Sequence, residues 1–430
     1  MRIINYKNID GNELEILLSR KNISIKNKLE IVSKIFEEVR VGGDEALKKI
    51  SFELDNNNRT ELRISDEELN NSALKIEEEL KLAIDTAYTN IYNFHLLQNS
   101  KNYETEITEG ITCGRKALPI ENVGLYVPGG SAVLFSTMLM LAIPAKIAGC
   151  KRIVVSSPIK ENEINPALAY CALKCGIKEF YSVGGAQAIA MFSLGTKDIK
   201  RVDKIFGPGN QYVTAAKVLL PLFGTNCTID MPAGPSELLV IADNSANPKF
   251  VASDLLSQAE HGVDSQVILL TDNAQFAKTV VNETKIQLQK LPRKEIAEKC
   301  LIHSFSIITE NLLQTVELSN YYAPEHLIIN TKINDELFNK ITNAGSIFLG
   351  EYACESAGDY ASGTNHSLPT NGYAKSIGGV GVEMFMKNLT FQSISKKGLK
   401  NIGNTIIKLA EAEQLEAHAN AVKIRMKDEY

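Results

Sequence analysis

From about residue 120 onward, short runs rich in valine and isoleucine alternate with turns and helical segments. Alternation of this kind predicts parallel sheets covered by helices, because parallel strands need a crossover connection that is usually helical. A single open sheet holding every run would be near the upper limit of size, so we predict two sheets. The first series of strands is 122–127, 152–156, 179–183 and 203–206, and the second is 237–242, 266–271, 306–309, 326–329 and 346–349.

Two breaks divide the rest of the chain. Residues 232–235 (PAGP) predict a rigid turn between the two series of strands. Ahead of the first series, residues 12–98 have a mostly helical pattern, since apolar side chains recur three or four positions apart between Leu69 and Ile91. After the glycine-rich residues 378–381, the chain is polar and helical in pattern to its end. We therefore expect helical segments on both sides of the two α/β units.

Composition argues against several classes of protein. A net charge of −5, the absence of tryptophan and an aromatic content of 7% give no reason to expect a nucleic-acid partner. The seven cysteines are dispersed without a CxxC pair, so neither a disulfide framework nor a thiolate zinc site is expected. The amino terminus lacks an apolar signal core, and the apolar stretch 133–147 is too short and too interrupted to span a bilayer. We expect a cytoplasmic protein without a membrane partner.

Three strands of the first series end in glycine-containing turns that lead into helices. These turns follow Tyr126, Val183 and Phe206, and they include the sequences PGG, GGAQ and GPGN. Glycines there let the backbone approach a diphosphate, and helix amino termini supply N–H donors. Ordinary strand-to-helix turn chemistry remains an alternative for any one of them. The dinucleotide fingerprint GxGxxG is absent, so these motifs alone make a weak case for NAD.

Four of the six histidines lie in short polar segments that also carry carboxylates or carboxamides. They are His261, His326, His366 and His418. This pairing is what a metal site or a general acid–base centre requires, although each histidine could instead be a hydrogen-bonded structural residue. The other two, His95 and His303, lack such neighbours and are interpreted as structural.

Candidate metal ligands are distributed over distant parts of the sequence. Gln258 and His261 are three positions apart near the end of a predicted helix, so they project from one face. Asp359 lies in a glycine-bounded segment interpreted as a loop, and His418 lies on the C-terminal helix. Imidazole and carboxylate groups are common zinc ligands, whereas a carboxamide is unusual. Spacing alone does not show that the four meet.

Glu325 and His326 follow Pro324 at the start of a predicted strand. Adjacent strand residues point to opposite faces unless the backbone bends, so the strand edge matters here. A glutamate and a histidine at such an edge could take protons from different positions of one substrate. A capping glutamate beside a buried histidine is the structural alternative.

The chain resembles the histidinol dehydrogenase family from about residue 110 to the C-terminus. The similarity depends on a series of motifs in order: 124–130 (GLYVPGG), 206–212 (FGPGNQY), 230–237 (DMPAGPSE), 257–262 (SQAEHG), 323–327 (APEHL), 358–366 (GDYASGTNH) and the Glu413/His418 pair. The resemblance implies an α/β fold with two incomplete Rossmann-like parallel-sheet domains and small helical N- and C-terminal segments. The implied boundaries are an N-terminal segment 1–24, a zinc and substrate domain 25–125 plus 236–378, an NAD domain 126–235 and a C-terminal tail 379–430.

The resemblance also implies a reaction and a role for individual residues. The reaction is the oxidation of L-histidinol to L-histidine through L-histidinaldehyde, with two NAD⁺ and one zinc ion per site. Implied roles are zinc ligation by Gln258, His261, Asp359 and His418; acid–base chemistry by Glu325 and His326; NAD contacts from Tyr126, Gln187 and Asn210; and substrate contacts from Ser236, His366 and Glu413 together with the zinc ligands and His326. The family is a homodimer, so Glu413 and His418 would complete the site of the partner chain.

Two other functions compete with this interpretation. A relative on the same scaffold could oxidise another polar alcohol, such as a sulfonated diol, but His366 and Glu413 suit a basic imidazole and amine better. A zinc-stabilised binding protein would produce no NADH and would leave Glu325 and His326 without a task. We therefore predict a zinc-dependent, NAD-linked dehydrogenase of L-histidinol.

Overall fold

The computed structural model describes residues 1–20, 26–98, 101–129, 133–159, 163–232 and 234–427. Its strands are β1 (Arg2–Asn5), β2 (Arg63–Ile64), β3 (Tyr103–Thr108), β4 (Ile111–Pro119), β5 (Asn122–Tyr126), β6 (Arg152–Ser156), β7 (Glu179–Tyr181), β8 (Lys204–Phe206), β9 (Thr228–Ile229), β10 (Glu237–Ala242), β11 (Gln266–Thr271), β12 (Phe305–Ile308), β13 (His326–Asn330), β14 (Ser346–Leu349) and β15 (Met386–Ile394).

The helices connect and cover these strands. They are α1 (Gly11–Leu18), α2 (Lys26–Asp55), α3 (Asp66–Ala73), α4 (Glu78–Leu96), α5 (Phe135–Ala148), α6 (Pro166–Cys175), α7 (Gly185–Leu194), α8 (Gln211–Leu219), α9 (Pro248–Ala259), α10 (Ala274–Leu288), α11 (Lys294–Ile302), α12 (Leu312–Tyr322), α13 (Asn334–Phe338), α14 (Glu355–Tyr360), α15 (Lys396–Ala412) and α16 (Glu416–Lys427). Within the described ranges, none of them is long and apolar enough to cross a membrane.

The first sheet has the strand order β2-β7-β6-β5-β8-β9. Strands β5 to β9 pair in parallel, and the short β2 is antiparallel to β7 at one edge. The central strands are apolar because helices cover both faces; Leu125 and Val155 are fully buried on one side, Val154 and Ile205 on the other. The first predicted series of strands is confirmed.

The second sheet has the order β1-β12-β11-β10-β13-β14, with every neighbouring pair parallel. Its central strand β10 is buried along its whole length, as a continuous apolar strand between two helical layers should be. The second predicted series is confirmed as well. The N-terminal segment was expected to be helical, but it begins with β1, which pairs residue by residue with β12. The short run Ile3-Ile4 suits a strand that covers an otherwise unpaired sheet edge.

The packing of the early helices differs from the expected domain division. Residues 25–125 were grouped with the second sheet, yet the helices of this stretch pack on the first sheet. Val32, Phe36 and Val39 of α2 join the core formed by α7 and α8, and Ile84 and Ile91 of α4 join the core around α5. The apolar face of each helix buries against a helix that begins 39 or more residues after it ends, a pairing that helical periodicity cannot reveal.

The C-terminal tail combines a strand with two helices. Strand β15 runs antiparallel to β4 over nine residues, and β3 completes a three-stranded sheet that the sequence analysis did not predict. Helices α15 and α16 pack against each other, and Gly403 lies against Met426. The two helices are separated by Gln414, whose φ of 60° places it in the left-handed region.

Candidate active site

The candidate site lies where the carboxyl edge of the first sheet faces the amino edge of the second. A cavity of about 50 Å³ is lined by Gly207 and Pro208, which follow β8, and by Ser236 and Glu325, which precede β10 and β13. Ligands of open α/β sheets bind outside the carboxyl ends of the strands, and the cavity lies at that edge of the first sheet. The second sheet contributes its amino edge instead, so residues at the starts of β10 and β13 enter the site.

Glu325 and His326 are buried together at the start of β13. Glu325 lies in a bend rather than in the strand, so the alternation of strand side chains does not separate the pair. The imidazole Nδ1 lies 3.5 Å from Oε2 of Glu325. The same carboxylate oxygen accepts the backbone N–H of Glu237 at 2.8 Å. The bend follows Ala323, whose φ of 54° is unusual for a residue with a side chain and whose own environment is fully buried.

The hydrogen bonds of His326 define which ring nitrogen is available for proton transfer. Nδ1 lies 3.1 Å from the carbonyl oxygen of Glu237, and since a carbonyl only accepts, Nδ1 donates its hydrogen there. Nε2 has no hydrogen-bond partner within the described residues and lies 3.6 Å from Asp359 Oδ1. Burial lowers the pKa of His326, but the carboxylates of Glu325, Asp359 and Glu355 outweigh it and raise that pKa well above the usual value.

A cluster of possible metal ligands lies beside this pair. The ligand atoms of His261, Glu355 and Asp359 are all within 4.8 Å of one another, and His261 Nε2 is 3.8 Å from Asp359 Oδ2. Gln258 is fully buried on α9, and neither atom of its carboxamide has a hydrogen-bond partner in the described structure. Because an unsatisfied buried amide is costly, this side chain points to a ligand that the protein residues do not supply. The imidazole nitrogen of His261 and the oxygens of Asp359 and Gln258 are donors that fit zinc.

Glu355 was not found by the sequence analysis. It lies one helical turn before Asp359 on α14, so both carboxylates share one face, whereas the sequence interpretation placed Asp359 in a loop. The spacing of four residues was the signal available in the sequence. Ser257 donates a short hydrogen bond to Glu355, and burial raises the pKa of Glu355 to about 8. Burial also acts to raise the pKa of Asp359, but the neighbouring His326, His366 and His261 lower it overall.

His366 lines the cavity with both ring nitrogens already engaged. Nδ1 donates to the carbonyl of Asp359 at 2.8 Å, and Nε2 lies 3.1 Å from the hydroxyl of Thr137 on α5. A hydroxyl can donate to the free Nε2, so the neutral tautomer satisfies both contacts. Burial lowers the pKa of His366, which agrees with an uncharged ring. Ser236, which precedes β10, lines the same cavity.

The three residues implied for the coenzyme lie at the carboxyl edge of the first sheet. The buried hydroxyl of Tyr126 accepts the backbone N–H of Gly185 at 3.1 Å, and burial raises its pKa to about 12. Gln187 is in the first turn of α7, and Asn210 caps α8 by accepting the N–H groups of Tyr212 and Val213. The predicted glycine turns converge here, although Gly130 lies outside the described residues.

A buried ion pair holds the Gly207 turn at the carboxyl edge of the first sheet. Lys217 Nζ lies 2.5 Å from Asp230 Oδ1 and donates to the carbonyl of Gly207 at 2.8 Å. The N–H of Gly207 in turn donates to Asp230 Oδ2 at 2.8 Å. With a φ of 122°, Gly207 packs so closely on the Tyr126 carbonyl that any side chain there would clash. The pairing of Lys217 with Asp230 was not predicted from the sequence.

Glu413 and His418 are not part of this cluster within one chain. Both side chains are exposed, at the junction of α15 and α16 and on α16 itself. The ligand cluster found among the described histidines, cysteines and acidic residues contains His261, Glu355 and Asp359 but not His418.

The fold and the site together define an α/β enzyme with a buried acid–base pair beside a candidate metal centre. The family profile described as histidinol dehydrogenase matches residues 18–426. The chain is 49% identical over 427 residues to a histidinol dehydrogenase of Campylobacter jejuni (strain RM1221), covering 99% of each chain. It is 48% identical over 425 residues to that of Escherichia coli (strain K12), covering 99% of this chain and 97% of the relative.

The fold agrees with this relationship. A crystal structure of histidinol dehydrogenase from Elizabethkingia anophelis superposes with a TM-score of 0.94 at 49% identity, covering 99% of this chain and 98% of that one. The chain therefore belongs to the histidinol dehydrogenase family and is an oxidoreductase.

Proposed function

We propose that this enzyme oxidises L-histidinol to L-histidine through L-histidinaldehyde, as the last steps of histidine biosynthesis, and that two NAD⁺ accept the hydrides. Family membership over nearly the whole chain supports the substrate, because close relatives carry the name histidinol dehydrogenase. The observation that carries the chemistry is the buried pair Glu325–His326 together with the unsatisfied buried carboxamide of Gln258. The cytoplasmic location expected from the sequence stays a prediction.

Zinc would be held by Gln258, His261 and Asp359, with His418 of a second copy as the fourth ligand. When bound, zinc supplies a Lewis-acidic point that binds the imidazole and amine nitrogens of the substrate and orients its carbinol. Support within the chain comes from the ligand atoms of His261 and Asp359, which already lie close together. Ser236 and His366, which line the cavity, would contact the bound substrate, and Glu413 of the second copy would bind its amine.

The first oxidation requires a base at the substrate hydroxyl. His326 meets this need because its Nδ1 hydrogen is fixed on the Glu237 carbonyl, which leaves Nε2 directed toward the cluster. Nε2 of the neutral ring would take the hydroxyl proton as the carbinol hydride leaves, and the product is the aldehyde. The ring would be neutral once a metal held at Asp359 offsets the carboxylate charge that raises the pKa of His326. Burial of the pair excludes water from this step.

The second oxidation requires addition of water to the aldehyde. Glu325 lines the cavity, where it could accept a proton from that water, and the resulting hydrate loses a second hydride to give the acid. The carboxylate is oriented for this task by the N–H of Glu237. The two side chains thus have separate steps although their atoms are only 3.5 Å apart.

The coenzyme would lie along the carboxyl edge of the first sheet, against Tyr126, Gln187 and Asn210. The first turns of α7 and α8 supply N–H groups and the positive ends of helix dipoles for its diphosphate. The Gly207 turn contacts Tyr126 on one side and lines the cavity with Glu325 on the other. This arrangement would bring the nicotinamide end of the coenzyme to the substrate. Oxidation of a sulfonated diol is not favoured, since the relatives found here are histidinol dehydrogenases.

The decisive experiment is a spectrophotometric assay for NADH with L-histidinol, before and after treatment with a chelator and after zinc is restored. We expect two NADH per histidinol consumed, loss of activity on chelation and its return with zinc. Failure to form NADH from L-histidinol with zinc present would refute the proposal.

A further inference from the structure

Asp55 places a carboxylate at the edge where the coenzyme is proposed to bind. It is the last residue of α2, a helix that precedes the whole first sheet in sequence. Its Oδ2 accepts Nε2 of Gln187 at 3.0 Å, and it also accepts the backbone N–H of Gly184. Asp55 therefore lies at the junction between β7 and α7, and its side chain is only partly buried.

A second observation indicates that this corner receives a ligand. Gln187 is 1% exposed, and its Oε1 has no hydrogen-bond partner among the described residues. The nearby Tyr126 hydroxyl uses a lone pair to accept the N–H of Gly185. Asp55 has unused acceptor sites, because an ionised carboxylate can accept about four hydrogen bonds. The corner thus offers two unsatisfied acceptors, and the ligand that fits them is a donor.

The chemistry of these acceptors distinguishes between the two nicotinamide coenzymes. A ribose with free 2′ and 3′ hydroxyls presents two adjacent donors, which a carboxylate and a carboxamide oxygen can accept together. A 2′-phosphate presents only acceptors at neutral pH and carries negative charge. Burial raises the pKa of Asp55, and no lysine or arginine of the described residues lowers that pKa. Among the described residues, a 2′-phosphate would therefore meet the carboxylate without a compensating cation.

We propose that Asp55, together with Oε1 of Gln187, binds the adenosine ribose hydroxyls of the coenzyme and selects NAD⁺ against NADP⁺. The proposal rests on the function proposed above, because it requires a dinucleotide at this edge. It gives Asp55 a role in specificity rather than in the chemical steps.

A purely structural role for Asp55 makes a different prediction. Helix α7 begins after Gly184, which provides no side-chain cap, so Asp55 could serve only as a cap for that helix. Loss of a cap would weaken binding of both coenzymes to the same extent. Loss of a ribose contact would weaken NAD⁺ alone and would relieve the repulsion of NADP⁺.

The test combines a charge-neutral variant with ligands that report on the ribose alone. In Asp55→Asn the side-chain oxygen can still accept the N–H of Gly184, while the negative charge is gone. We expect kcat/KM for NAD⁺ to fall by about 10- to 100-fold and the NADP⁺/NAD⁺ ratio of kcat/KM to rise by at least about tenfold. Glu53→Gln is the matched control, since it removes an exposed carboxylate from the same helix and should leave the ratio unchanged.

A binding measurement on the unmodified enzyme does not depend on how the variant folds. Calorimetric titration should show ADP-ribose binding at least about tenfold more tightly than its 2′-phosphorylated form. Equal affinities, or an unchanged coenzyme ratio in Asp55→Asn, would overturn the role of Asp55. If L-histidinol yields NADH while the two affinities are equal, only this inference fails. If ADP-ribose is preferred but no histidinol is oxidised, the inference stands and the proposed function fails.

Discussion

Nε2 of His366 lies 3.1 Å from the hydroxyl of Thr137, a contact that joins the two halves of the molecule at the cavity. Thr137 is on α5, which packs on the first sheet, whereas His366 follows α14 beside the second. A second contact reinforces the junction, because Asn365 Nδ2 donates to the carbonyl of Met140 on the same helix at 2.6 Å. The side of the cavity that is proposed to bind the substrate is therefore hydrogen-bonded to a helix of the side that is proposed to bind the coenzyme.

Removing the hydroxyl of Thr137 should weaken substrate binding. In Thr137→Val the ring of His366 loses its partner at Nε2 and gains freedom to turn, so the substrate contact becomes less well defined. We expect KM for L-histidinol to rise by roughly 2- to 10-fold, with a smaller change in KM for NAD⁺. Steady-state kinetics with each substrate varied in turn measures this, and Ser136→Ala is the matched loss of a neighbouring buried hydroxyl. A proportional change in both KM values would contradict the prediction.

The two members of the acid–base pair should fail at different steps. His326→Asn removes the base for the substrate hydroxyl, so we expect a loss of roughly 10²- to 10⁴-fold in oxidation of L-histidinol. Glu325→Gln should retain the first hydride transfer and lose a comparable factor in oxidation of supplied L-histidinaldehyde. Single-turnover measurements with each substrate separate the steps. Equal losses on alcohol and aldehyde in both variants would show that the roles are not divided.

The carboxamide of Gln258 should contribute to zinc binding, and it should lower the free energy of unfolding of the zinc-free protein. In Gln258→Leu an unsatisfied buried amide is replaced by an apolar group of similar size. We expect zinc content after dialysis to fall, while the free energy of unfolding in the presence of chelator rises by about 1 kcal/mol. Metal analysis and denaturant unfolding measure the two effects. Gln275→Leu alters an exposed glutamine on α10 and should change neither quantity.

The proposed exchange of tails can be tested by mixing two inactive variants. His261→Asn damages the site of its own chain, and His418→Asn would damage the site of the partner. A mixed dimer would then contain one intact site and one doubly damaged site. Random reassortment makes half of the dimers mixed, so about a quarter of wild-type activity should return. No recovery after confirmed subunit exchange would mean that His418 does not act across the dimer.

His95 should make the free energy of unfolding fall as the pH is lowered into the acidic range. Its Nδ1 donates to the carbonyl of Ile91 at 2.8 Å, and Nε2 lies 3.3 Å from Asn365 Nδ2, so the buried ring is neutral. Burial lowers its pKa in the folded state, and the unfolded chain therefore binds more protons as pH falls below about 6.5. Stability is thus fully present above pH 6.5 and is lost on acidification, by up to about 1.4 kcal/mol per pH unit.

Denaturant unfolding between pH 7 and pH 5 would check this dependence. We expect His95→Gln to be less stable than the wild type at pH 7 and to lose less stability on acidification. Ser51→Ala, which removes a buried hydroxyl but no titratable group, serves as the control and should follow the wild-type slope. Identical slopes for His95→Gln and the wild type would rule out a contribution from His95.

Sequence patterns predicted most of the two large sheets because buried parallel strands are continuous apolar runs, as in β10. They predicted less well the parts that depend on distant pairing. Strand β1 exists because it covers β12, some 300 residues later in the chain, and β15 exists because it pairs with β4. The histidines and Glu325 were recognised from local motifs and a family resemblance. Asp55 was not recognised, because its proposed role depends on its contacts with Gly184 and Gln187, which are distant in sequence.

Opposite sheet edges facing one cleft give its two walls opposite backbone polarity. On the first-sheet wall, α7 and α8 point their amino ends inward and present partial positive charge. On the second-sheet wall, α9 ends beside Gln258, so its carboxyl end presents partial negative charge. An anionic diphosphate and a metal cation are thus each attracted to a different wall before any side chain acts. This field comes from the main chain. We therefore expect substitutions of individual ligand side chains to leave the diphosphate at the first-sheet wall and the metal cation at the second-sheet wall.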